Sequence, residues 1–96
     1  MTTINGNGST KTAKARVKYK DKYDGQFPGE ALITLNTLEG TITAIFSLSL
    51  INENNRTIEA VVIDERGDSY LVDLPTYTFT TGSRVWFPKK FVTMEA

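Results

Sequence analysis

From residue 13 onward, apolar and polar side chains alternate at every second position, in short runs separated by turn-forming residues. That is the period at which successive side chains point to opposite faces of a strand. In the first run Ala13, Ala15, Val17 and Tyr19 share one face, and Lys14, Arg16, Lys18 and Lys20 share the other. Residues 30–38 and 41–51 form two further strands joined at Glu39-Gly40. In the second of these, Ile42, Ala44, Phe46, Leu48 and Leu50 make a core face; the opposite face is mostly hydroxylated and also carries Ile45 and Ile51. A helix is excluded here because the apolar spacing is two and β-branched residues are frequent.

Residues 57–63 resume the alternation with Ile58, Ala60 and Val62, and residues 64–68 close a hairpin onto residues 69–74. Pro75 lacks the amide hydrogen a ladder uses and ends that strand. Residues 77–80 lead through a Thr81-Gly82-Ser83 turn into residues 84–87, after which Pro88 stops the run. Lys89-Lys90 then fits one turn of 3₁₀ helix, and residues 91–94 make a closing strand.

The connections carry their own signals. Residues 21–29, DKYDGQFPG, place Asp24-Gly25 and Pro28-Gly29 around two aromatics and make a loop. Residues 52–56, NENNR, make a turn whose asparagines tolerate positive φ. Residues 1–12 are polar and have almost nothing to bury, so they form a disordered tail ahead of a single domain over residues 13–96. The chain is thus expected to be all-β, with five to seven antiparallel strands and no helix of any length. A set this small curls into a barrel, because closure removes edges that a flat sheet would expose.

Composition narrows the chemistry. Cysteine and histidine are absent, which removes disulfides, thiol nucleophiles, imidazole bases and Cys/His metal centres. Asp64, Glu65 and Asp68 sit in a hairpin turn, where carboxylates stay solvated, and they lack the ligand spacing of an EF-hand. No glycine-rich phosphate loop opens a helix. The expectation is a chain that is not an enzyme and has no cofactor and no metal. The longest mostly apolar run, residues 42–51, is about half of the roughly 20 residues a spanning helix needs. The first ten residues lack the basic and apolar regions of a secretory signal. A cytoplasmic location without membrane contact follows as the expectation.

Formal net charge is zero, yet the charges are segregated. Residues 11–23 carry a net +5, residues 24–74 a net −7 and residues 84–95 a net +2. If the two ends meet, the fold has a basic side and an acidic side.

One stretch has a wider likeness. Residues 64–68 make an acidic loop, Tyr70 begins the following strand, Thr81-Gly82 makes a turn, and Phe87-Pro88-Lys89-Lys90-Phe91-Val92 runs Pro-x-x-aromatic-Val through a 3₁₀ turn. In this order, residues 58–94 resemble the SH3-like small β-barrel superfamily. The resemblance implies an SH3-like barrel, to which residues 30–51 add an N-terminal hairpin. It also implies a groove containing Tyr70, Pro88 and Phe91.

Two functions from different classes follow. The first is a protein-binding or assembly module, joining another protein or forming a homo-oligomer such as a dimer. Its candidate residues are Tyr23, Phe27, Tyr70, Trp86, Pro88 and Phe91, with Tyr77 and Phe79 as further aromatics. If Val85 and Phe87 point inward, Trp86 faces out between Arg84 and Lys90. The alternative is binding of single-stranded or double-stranded nucleic acid through Lys14, Arg16, Lys18, Lys20 and Lys22, extended by Arg84, Lys89 and Lys90. Against it stand the neutral net charge and the acidic middle of the chain.

Overall fold

The computed structural model describes residues 12–78 and 82–95, with backbone alone at Tyr77. The expectations for residues 1–11, for the Tyr77 side chain, and for Phe79 and Thr81 lie outside the described residues.

The described chain is all-β and antiparallel. Its strands are β1 (Ala13–Lys18), β2 (Asp21–Asp24), β3 (Glu30–Thr37), β4 (Gly40–Ser47), β5 (Ile51–Asn52), β6 (Thr57–Arg66), β7 (Ser69–Thr78), β8 (Gly82–Pro88) and β9 (Val92–Met94). Single 3₁₀ turns occupy Leu48–Leu50 and Lys89–Phe91. The ladders run in the order β9-β1-β6-β7-β4-β3-β2, with β5 also on β6 and β8 also on β7. Among the described residues no ladder joins the two end strands β9 and β2.

Nine strands exceed the expected five to seven, and the excess has local causes. The stretch read as a loop over residues 21–29 begins with β2. Lys20 N donates to Thr34 O at 2.8 Å and Asp21 N to Thr34 Oγ1 at 2.9 Å, drawing the chain alongside β3 before it turns. The loop is then only residues 25–29. The long strand expected over residues 41–51 breaks at Ser47, whose hydroxyl caps the 3₁₀ turn by accepting from Ser49 N. Leu48 is thereby exposed instead of joining the core face.

Other boundaries move for similar reasons. The hairpin expected at residues 64–68 is tighter, because β6 stays paired to Arg66 and the turn is Gly67-Asp68, with Gly67 at φ 56. Pro75 does not end β7. It lies between the pairs Asp73↔Arg84 and Thr78↔Gly82, where the ladder to β8 is irregular and its missing donor goes unused. In the turn after β5 the positive φ falls on Arg56 (φ 57) and not on an asparagine. Arg56 O accepts from Tyr19 N at 3.0 Å, and its guanidinium donates to Lys20 O, so contacts with the two residues that follow β1 hold a conformation the residue alone disfavours. The hairpin of residues 30–51 is no peripheral addition, since β3 and β4 lie between β2 and β7.

One cluster forms the core. Val17, Ile33, Leu35, Phe46, Ile58, Val72 and Phe87 are fully buried in it, contributed by β1, β3, β4, β6, β7 and β8. Val85 and Phe87 point inward, which turns Trp86 outward. There the Arg66 guanidinium lies 4.6 Å from the ring centroid, a neighbour the strand spacing does not announce.

Candidate functional site

Because β1 keeps Ala15 and Val17 in the core, Arg16 and Lys18 fall on its outer face. Antiparallel register sets Arg16 opposite Thr93 of β9 and Glu59 of β6, and sets Lys18 opposite Thr57. The turn between β5 and β6 rises on one side of this strip and the Lys89–Phe91 turn on the other. Between them lies a groove of about 550 Å³, within the range of small-ligand sites. Among the described residues four cations line it, Arg16, Lys18, Arg56 and Lys90, and no carboxylate does. Asn54, Asn55, Thr57, Phe91 and Thr93 complete the wall.

The cations differ in how firmly they are held. Arg16 is anchored from behind by Glu95 at 3.4 Å and Glu59 at 3.8 Å, neither of which lines the groove. The Arg56 guanidinium lies 5.0 Å from the Tyr19 ring centroid. Lys90 places its ammonium 5.2 Å from the Phe91 centroid, and Lys18 has no ion pair among the described residues.

A second surface is apolar. Direct pairing puts Tyr23 of β2, Leu32 of β3 and Ile45 of β4 in one row across the outer face of three strands. Tyr23 is 55% exposed and Ile45 36%. Thr34 and Thr43 make the adjoining row, and among the described residues no strand pairs with the far edge of β2. Phe27, 63% exposed in the β2–β3 loop, and Leu48 lie at this end of the sheet, where Leu48 N donates to Gly29 O at 2.9 Å.

The sequence candidates divide between places. Arg16, Lys18, Lys90 and Phe91 meet in the groove, and Tyr23 and Phe27 belong to the apolar end. Pro88 caps the second 3₁₀ turn and lines a shallow cleft of about 330 Å³ with Asp68, Lys89 and Lys90. Tyr70 packs against the core under the Lys89 ammonium, 4.9 Å from its centroid. Lys89 pairs with Glu65, and this hydrogen bond holds its ammonium protonated above the ordinary lysine range. Lys22 is half-buried and pairs with Glu53 at 3.2 Å. Lys14, Lys20 and Arg84 are exposed outside the groove, Arg84 opposite Asp73.

Arg56, Thr57 and the two asparagines carried no sequence signal as site residues. Arg56 counts among the acidic middle of the chain, and only the pairing of β6 with β1 brings it beside Lys18. No group of three or more carboxylates that could hold a metal occurs among the described residues, and none of their helices is long and apolar enough to cross a membrane. No protein-family model, curated protein or solved structure matches the chain.

Proposed function

We propose that the chain is a non-enzymatic protein-binding or assembly module on an SH3-like barrel, docking through the outer face of β2, β3 and β4. The observation that carries this reading is the row of exposed Tyr23, half-buried Leu32 and exposed Ile45 beside a strand edge that no described strand pairs with. An edge offers backbone groups to an added strand, and the apolar row offers side-chain contacts to the same partner. The barrel part of the reading is supported by one connection. Only Tyr19 and Lys20 separate β1, which pairs with β6, from β2, which pairs with β3, so the run β6-β7-β4-β3 starts and ends on one stretch of chain.

Sedimentation velocity across a concentration range, together with affinity capture, tests the proposal. Self-association or a captured partner that is lost in Ile45→Lys supports it. A chain that stays monomeric throughout and captures nothing removes it.

A second reading, nucleic-acid binding, is favoured by the convergence of Arg16, Lys18 and Lys90 with Phe91 in one groove free of carboxylates. Titration with labelled single- and double-stranded oligonucleotides over a salt series tests it, and absence of binding at low salt removes it.

A further inference from the structure

Three buried polar side chains occur among the described residues: Thr37, Thr57 and Thr78. Two of their hydroxyls are satisfied by hairpin carbonyls. Thr37 Oγ1 donates to Gly40 O at 2.7 Å, and Thr78 Oγ1 to Gly82 O at 2.8 Å. Among the described residues Thr57 Oγ1 finds no partner, although the residue is only 6% exposed. A buried hydroxyl left unbonded is costly, and natural folds rarely keep one without a use. Thr57 stands opposite Lys18 on the outer face of the sheet and is one of the residues that line the cationic groove.

We propose that the groove binds a phosphate group, with Thr57 Oγ1 as the buried hydrogen-bond donor and Arg16, Lys18 and Arg56 as the counter-charges. Phosphate presents several acceptor oxygens and up to two negative charges, which matches a donor flanked by guanidinium and ammonium groups. A carboxylate would satisfy one guanidinium and leave the other cations facing each other. Phe91 on the same wall gives a planar ring on which a base stacks, so the phosphate is that of a nucleotide, free or within a strand. This rests on the second reading above and adds to it a particular hydroxyl and a particular anion.

The test is an NMR titration of the whole chain with inorganic phosphate, thymidine monophosphate and an oligothymidylate, alongside anisotropy of the labelled oligothymidylate over a salt series. Thr57→Val keeps the shape of the side chain and removes the donor. It should weaken binding about tenfold while leaving the denaturation curve unchanged or shifted to higher stability, and Thr57→Ser should retain binding. Lys18→Gln should flatten the salt slope for the strand by about 0.7. Arg56→Asn keeps a residue tolerant of positive φ and should also weaken binding.

Phosphate and the monophosphate shifting groove resonances without any binding of the strand would support the site and remove the nucleic-acid reading. A strand bound equally by the parent chain and by Thr57→Val would overturn the phosphate site and leave that reading in place. No response to any probe at low salt would overturn both.

Discussion

The apolar row on β2, β3 and β4 and the cationic groove beside β1 are built in different ways. Tyr23, Leu32 and Ile45 come from successive strands joined by short connections, and register alone aligns them. The groove draws on β1, on the turn before β6 and on the last 3₁₀ turn, which lie far apart in the chain. The row is a residue of strand alternation, left over when the other parity fills the core. The groove exists only because β6 and β9 flank β1. A surface of the first kind tolerates substitution of its members one at a time, whereas the second depends on the packing that brings its walls together.

The largest effect should come from the core the two surfaces share. Phe46 lies beneath the apolar row and Ile58 beneath the groove, and both are buried. Phe46→Ala should cost about 3–5 kcal/mol and Ile58→Ala about 2–5 kcal/mol in chemical denaturation. Each should lower a single transition. Two separable transitions would mean that the regions fold independently and would break the comparison.

Next is Gly25→Ala, at the start of the loop that carries Phe27. A Cβ there would lie 2.7 Å from Glu30 O, which is backbone and cannot rotate away. A loss of about 1–3 kcal/mol is expected, with assembly weakened and groove binding unchanged.

Smaller in stability but sharper in meaning is the pair Tyr23→Lys and Ile45→Lys, changed together. Exposed cross-strand contacts contribute roughly 0.2–1 kcal/mol each, so the fold should survive. Assembly should be abolished while phosphate titration stays as in the parent. Loss of both activities would show that the two surfaces are one site.

Arg56→Gly sets two terms of opposite sign against each other. It relieves a left-handed backbone at a residue with a Cβ, about 1 kcal/mol, and it deletes the guanidinium with both its place over Tyr19, about 0.5–1 kcal/mol, and its exposed hydrogen bond to Lys20 O, about 0.5–1 kcal/mol more. Denaturation should move by less than about 1 kcal/mol, while the groove loses affinity.

The smallest effect concerns Lys89 and Glu65. The folded-state lysine pKa is raised by its hydrogen bond to Glu65, so the pair's contribution is present below the ordinary lysine range and is lost as pH climbs through the raised value. Glu65→Gln should move Lys89 deprotonation to lower pH in an NMR titration, with no measurable shift of the denaturation midpoint at neutral pH.

Much of the strand pattern was legible because parity is a local property. Parity already set Trp86 on the face opposite Val85 and Phe87, and only which of the two faces is buried was left to the structure; the Pro88 stop with its short turn appears within one residue of the expected place. Reading failed where a distant group intervened. β2 exists because Thr34 captures the chain after Tyr19. β7 runs through Pro75 because a bulge there asks for no donor.

By itself the sequence determined the all-β character, the inward set of apolar side chains and the basic outer face of β1, since each depends on residues two apart on one strand. Tertiary structure alone decided which outward residues meet. Arg56 and Thr57 become neighbours of Arg16, Lys18 and Lys90 through the register of β6 against β1 and the position of the last turn. Such pairings are set by the summed packing of the whole core, and no local spacing records them.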